Sequence, residues 1–210
     1  MPMDIRRVVN PASTALLTIE LQRNRVGDLA KGPLAESAQR VLPEIERLVA
    51  AARRAEVPVA HCLKLARRDL LGQNTNVALY KLRGVVPDAP LPPDDRLQEG
   101  AELIPALGPD PRDLTFTRIH GMSAIFDGGV DPVLRTLRVE NVIVVGISAN
   151  VAIPNTVMDL VNRSYEVVVP QDAIAGTPAG YTDVMVGNTL KMLATVTTTQ
   201  AIIDAWNAPI

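Results

Sequence analysis

With 210 residues, 47% of them hydrophobic and a formal net charge of −2, the chain has ample apolar material for one buried core and no basic surplus to draw it to nucleic acid or an anionic membrane. No stretch approaches the roughly 20 apolar residues that span a bilayer, and MPMDIRRVVN is not followed by an apolar run of signal-peptide length; a cytoplasmic protein handling a small molecule is expected. The single cysteine, Cys62, excludes intrachain disulfides and cysteine-based zinc clusters, while two histidines, His61 and His120, leave little for a transition-metal site, so neither metal nor cofactor is expected.

Strand signals fall at 14–20, 57–62, 113–117, 141–146 and 165–169, alternating with helical signals near 34–55, 130–138, 151–163 and 180–193. This alternation predicts a three-layer α/β/α fold around a mainly parallel sheet, in a single domain spanning residues 1–210. The first helix carries Val41, Leu42, Ile45, Leu48 and Val49 at spacings of three and four, which lays it on the sheet, and Arg53 and Arg54 suit its C-terminus. Between 63 and 98 no clear strand period is visible; an arginine pair (Arg67, Arg68) and PDAPLPPDD at 87–95 mark a long irregular excursion, either a binding loop or a proline-stiffened interface. The stretch ATVTTTQAIIDAW at 194–206 reads as a short strand, a threonine-capped turn and a closing helix.

Several residues carry chemistry by their placement. Glu20 ends an apolar strand, and ligands of open α/β sheets bind beyond the carboxyl ends of the strands, with a structural pairing to a nearby arginine as its alternative role. Gln22 shares its side by alternation, with a turn-fixing hydrogen bond as its alternative role. Cys62 ends the second predicted strand, either at the rim of the cleft or as a small buried residue. Arg118 follows DLTFT, and because a guanidinium keeps its charge at any working pH, it suits anion binding and not proton shuttling. His120 is a titratable neighbour, although a lone loop histidine is more often structural. At NVIVVGISANVAIPNTV (141–157) a buried strand runs through Gly146 into a tight turn and a helix, and the first amides of such a helix face a cleft able to hold an anion. Asn150 would either line that cleft or cap the helix.

The order and spacing of ALLTIELQ (15–22), VPVAHC (57–62), GAELIPAL (100–107), TRIHGMSAIF (117–126), GISANVA (146–152) and YEVVVPQDAIAG (165–176) resemble the isochorismatase-like hydrolases, also called the cysteine hydrolase family. The resemblance implies a Rossmann-like topology, and a homodimer or higher homo-oligomer. It also implies a non-proline cis peptide between Ile147 and Ser148, with Ile147, Ser148, Ala149 and Asn150 shaping the pocket. Amidase members use an aspartate base, a lysine and a nucleophilic cysteine, and these positions fall on Glu20, Arg118 and Ala152. All three differ. Isochorismatases proper also lack the cysteine and use their acidic residue to protonate a vinyl ether. Some relatives bind a metal through histidines after the second strand; LKLARRDL (63–70) contains none.

Ala152 has no reactive atom, so acyl transfer to that side chain is excluded. Three readings follow. The first is a cysteine-independent hydrolase with Glu20 as general acid and a small anionic substrate held by Arg118. The second is a catalytically silent ligand-binding or assembly homologue. The third is a Cys-to-Ala variant of an amidohydrolase, against which the simultaneous presence of Glu20 and Arg118 argues. Glu20 must hold its proton near neutral pH to act as an acid, which burial favours and Arg118 opposes.

Overall fold

Among the described residues seven strands form one sheet, and their pairings are all parallel. A computed structural model describes residues 4–82, 97–127 and 129–208. The strands are β1 (Thr14–Ile19), β2 (Val59–Lys64), β3 (Leu114–Arg118), β4 (Asn141–Ile147), β5 (Glu166–Pro170), β6 (Ile174–Ala175) and β7 (Thr195–Thr197). They lie in the order 3-2-1-4-5-7, and β6 pairs with the end of β4. The helices are α1 (Ile5–Val8), α2 (Pro33–Arg54), α3 (Ala78–Leu82), α4 (Val130–Thr136), α5 (Ala152–Asn162), α6 (Ala179–Met185), α7 (Lys191–Leu193) and α8 (Thr199–Asn207).

Alternation along the strands sorts the apolar side chains onto two faces. Leu16, Val59, Ile143, Val145 and Val168 pack against Leu42, Ile45, Leu48 and Val49 of α2 and Ile202 of α8. Ala15, Leu17, Cys62, Val142, Val144 and Val167 pack on the other face against Leu134 of α4 and Ile153, Val157 and Leu160 of α5. With both faces covered, β1 and β4 are buried at every position, as their largely apolar composition requires.

The order reverses at β1, which leads outward to β2 on one side and borders β4 on the other. The crevice beyond β1 and β4 is therefore the topological switch point at which open α/β sheets bind ligands. Glu20 directly follows β1, and the turn Ser148–Val151 directly follows β4.

Two boundaries differ from the sequence reading in ways that affect the site. The second strand does not end at Cys62 but continues to Lys64, because Leu63 and Lys64 pair with Thr117 and Arg118 of β3. The helical path at 180–193 is interrupted by a π-turn, Val186–Leu190, between α6 and α7. The excursion contains the short α3, while the proline-rich stretch 87–95 lies outside the described residues.

Candidate active site

At the end of β1 the backbone of Glu20 enters the left-handed region (φ 56°), unusual for a residue with a side chain, while its N–H still donates to Cys62 O at 2.9 Å. Its carboxylate, 8% exposed, is held from two sides: Arg118 Nη2 donates to Oε1, and Arg25 Nη1 lies 3.0 Å from Oε2. Arg25 reaches it because residues 22–26 form a turn in which the N–H groups of Arg25 and Val26 both donate to Gln22 O. Arg118 is the last residue of β3, on the face where Phe116 packs toward α5, and its side chain is 1% exposed. Its Nε donates to Gly121 O at 3.4 Å, whereas Nη1 is buried without a hydrogen-bond partner among the described residues.

Sequence reasoning missed two members of this cluster. One is Arg25; the other is Lys64, the register partner of Arg118 and 7% exposed. Alternation from Cys62 would have found Lys64 had the strand been extended by two residues, whereas nothing local in QRNR indicates that the turn carries Arg25 back to Glu20. Three cations thus surround one carboxylate. Burial pushes the Glu20 carboxyl upward, but Arg25, Arg118 and Lys64 together outweigh it and hold it below the usual glutamate value. Of the two influences that the sequence left in balance, burial and the neighbouring charge, the charges prevail, which favours the ionised form of Glu20 in the free protein. Burial, reinforced by the two arginines, draws the Lys64 ammonium below its ordinary pKa against the opposing pull of Glu20.

Ala152 is the first residue of α5, 4% exposed, in the apolar layer with Cys62, Ala124, Ile125 and Ala149. It stands beyond β4, at the same end of the sheet as the ion pair. The Ile147–Ser148 peptide is cis. The other predicted pocket residues have structural partners. Ile147 packs in the α2 layer, so its side chain faces away from Ala152. Ser148, half-buried, accepts through its carbonyl from Val151 and Ile153 and opens α5. Ala149 is fully buried and donates through its N–H to Ala175 O at 2.8 Å. Asn150 does not cap α5; its amide donates to Thr177 O at 2.7 Å and accepts from Thr177 N at 2.9 Å, fixing the turn after β6.

Gln22 is also committed to structure. Its amide donates to Lys64 O (2.9 Å) and Ala101 O (3.0 Å) and accepts from Lys64 N (2.9 Å), leaving no donor free for a ligand. His120 bonds through both ring nitrogens, at 3.2 Å to Asn74 Nδ2 and 3.2 Å to Gly72 O. Asn74 in turn accepts from Gly121 N at 2.7 Å, so the start of the excursion braces the loop whose carbonyl holds Arg118. Burial pushes the Cys62 thiol up to about 12, a value at which it is neither nucleophile nor metal ligand at neutral pH. Native protein should accordingly react with an aromatic disulfide reagent at least about 100-fold more slowly than urea-unfolded protein; comparable rates would show that Cys62 is accessible.

A cavity of about 330 Å³ lies at the opposite end of the sheet, lined by Arg53, Val59, Arg112, Asp113 and Leu114 among others. Volume and chemistry therefore point to different places. The chemistry is the better guide, because Arg53 and Arg112 are both paired with aspartates, at 2.5 Å to Asp113 and 2.8 Å to Asp110. Among the described residues no group of three or more His, Cys, Asp or Glu is placed to hold a metal, and no helix is long and apolar enough to cross a membrane.

Residues 14–201 match the isochorismatase domain model. The chain belongs to the isochorismatase family. No curated protein matches it. Among solved structures it is similar to a cysteine hydrolase from Pseudomonas syringae pv. phaseolicola, with 24% identity, 98% of this chain and 95% of that chain covered and a TM-score of 0.76. It is also similar to an isochorismatase family protein from Desulfovibrio vulgaris, at 25% identity, coverages of 93% and 99% and a TM-score of 0.74. N-carbamoylsarcosine amidase from Thermoplasma acidophilum shares the fold at 20% identity, coverages of 89% and 96% and a TM-score of 0.68. The isochorismatase-family chain described here thus has a helix, α5, whose first residue offers no nucleophile, beside a buried carboxylate bound by two arginines.

Proposed function

We propose that this isochorismatase-family chain is a hydrolase of a small anionic molecule, working without a thiol at position 152, with Glu20 as its proton-transfer group. The observation that carries the reading is Arg118 Nη1, a guanidinium nitrogen buried without an acceptor among the described residues. An unsatisfied charged donor is costly, and a substrate carboxylate supplies the acceptor it lacks. Binding also changes Glu20. A substrate anion adds a like charge beside the carboxylate and competes with it for Arg118 and Arg25, and each of these two effects raises the Glu20 pKa. A carboxylate that is ionised in the free protein thereby becomes able to take up a proton in the complex. It then delivers that proton to the carbon of a vinyl ether; water captures the resulting oxocarbenium ion and gives up a proton to the Glu20 carboxylate, and the hemiketal so formed breaks its C–O bond to release an alcohol and a carbonyl compound. Arg118 stays charged throughout and holds the anion.

A second reading, an anion-binding homologue without turnover, is favoured by the ion pairing of both Glu20 oxygens. The two separate on one comparison. Wild type and Arg118→Met are assayed on anionic vinyl ethers, esters and amides, and the melting temperature of each is followed with added malonate. The hydrolase reading expects turnover by wild type, with the variant raising KM by about tenfold or more and changing kcat less, as for uniform binding. Malonate stabilisation that Arg118→Met abolishes, with no turnover on any substrate, establishes the silent reading. An unchanged KM and unchanged malonate response in Arg118→Met would overturn the anion site itself.

A further inference from the structure

Lys64 is not used by the hydrolytic reading. Of the four lysines in the chain, Lys31, Lys81 and Lys191 are exposed and Lys64 alone is buried. Its backbone is clamped on both sides by Gln22 at 2.9 Å, and it stands opposite Arg118 in the β2–β3 register. Ala60 and Cys62, its neighbours at alternate positions, pack toward α5, so its side chain leaves the sheet on that same face, beside Arg118 and Glu20. Among the described residues its ammonium takes part in no hydrogen bond or ion pair, whereas Arg25 Nη1 and Arg118 Nη2 are engaged by Glu20 and only Nη1 of Arg118 is left for an anion. A buried amine next to two fixed cations is the arrangement that makes lysine a nucleophile toward carbonyl carbon.

We propose that Lys64 forms an imine with a small 2-oxo acid, whose carboxylate is held by Arg118 and whose carbonyl carbon is presented to Nζ. The suppressed basicity of Lys64 supports this, because the neutral amine is the attacking species. The ammonium passes one proton to the Glu20 carboxylate. The amine attacks the carbonyl carbon, and a proton moves from nitrogen to the former carbonyl oxygen to give a carbinolamine. Glu20 returns its proton to that hydroxyl, water leaves, and the C=N bond forms as a protonated imine. One carbonyl and one ammonium become one iminium and one water, with no change of oxidation state. The inference rests on the anion site of the preceding reading but not on its hydrolysis.

The test uses pyruvate with sodium cyanoborohydride at neutral pH, followed by peptide mass mapping of the whole chain; the hydride reduces any imine to a stable secondary amine. Wild type should carry the reduced adduct on Lys64 at about tenfold or more over each of Lys31, Lys81 and Lys191. Arg118→Met should lower labelling of Lys64 by about tenfold while leaving the exposed lysines unchanged, and Lys64→Arg should abolish the preferred adduct. Acetaldehyde, a carbonyl without a carboxylate, controls for access and should show much weaker preference for Lys64. Equal labelling of all four lysines by pyruvate, or labelling of Lys64 no better than by acetaldehyde, would overturn the proposal. If labelling of Lys64 fails while Arg118-dependent stabilisation by malonate persists, the imine is refuted and the anion site stands. The wild-type map decides the point even if a variant fails to fold.

Discussion

Glu20→Gln is expected to lower both stability and activity by large amounts. The substitution keeps the shape of the side chain but removes the one negative charge from among Arg25, Arg118 and Lys64, and Arg118 is 1% exposed. Breaking a buried ion pair by removing one partner costs about 3–5 kcal/mol, because the surviving charge keeps its desolvation penalty. For a chain of this length that corresponds to a fall in melting temperature of roughly 10 °C. Since the surviving cations then lack a counterion, malonate or phosphate should restore part of the loss and stabilise the variant more than it stabilises wild type. If the chain turns over substrate, loss of the proton-transfer group should cost about 10²- to 10⁴-fold in kcat. The pH dependence has a definite sign. A carboxyl whose folded pKa lies below its ordinary value of 4.5 contributes stability above that pH and loses it as pH falls through the folded value. The Gln variant should therefore lose less stability on acidification than wild type. An unchanged melting temperature with no added response to anions would show that Glu20 is not the counterion of this cluster.

Gly146→Ala should damage the protein at least as severely, for a reason unconnected with charge. Gly146 has φ 111° and is the register partner of Ile19 on β1, where a Cβ would fall 2.3 Å from Ile19 O and 2.9 Å from Ile19 N. Both obstacles are backbone atoms of the adjacent central strand, so no rotamer relieves the clash, and the positive φ adds strain to any L side chain. The expected cost exceeds about 4 kcal/mol, at the extreme of single substitutions, and shows as insoluble protein or a melting temperature lowered by more than about 10 °C. Gly180→Ala is the matched control. It lies within α6, where an added Cβ meets nothing within 4 Å, and a helical glycine replaced by alanine gains about 0.5–1 kcal/mol. Equal stability of Gly146→Ala and wild type would mean that β1 and β4 do not approach in this register. Because that approach sets Glu20 beside the turn into α5, it would also remove the geometric basis of the site.

The sheet and its helices were legible in the residues because they depend on local pattern. The largely apolar stretch Ala15–Ile19 and the continuous apolar run Val142–Val145 require burial on both faces, and the period of α2 allows only one face to meet the sheet. Glu20 and Arg118 were legible as strand-end charges for the same reason. Gln22, His120 and Asn150 were legible as polar groups near the crevice, but whether a polar group serves a ligand or the fold depends on which partners come within hydrogen-bond distance. Those partners, Lys64 and Ala101 for Gln22, Asn74 and Gly72 for His120, and Thr177 for Asn150, are mostly distant in sequence.

The sequence by itself determined the layered parallel architecture, the family, the lack of a thiol at position 152 and the identity of the carboxylate at the end of β1. Only the tertiary structure decided the protonation of that carboxylate, because a pKa depends on the balance of burial against charges that folding assembles. Arg25 arrives through a turn and Lys64 through two further residues of strand pairing, and together with Arg118 they reverse the effect of burial on Glu20. Hydrophobic pattern repeats along the chain and is read locally, whereas electrostatic balance is set by distances across space.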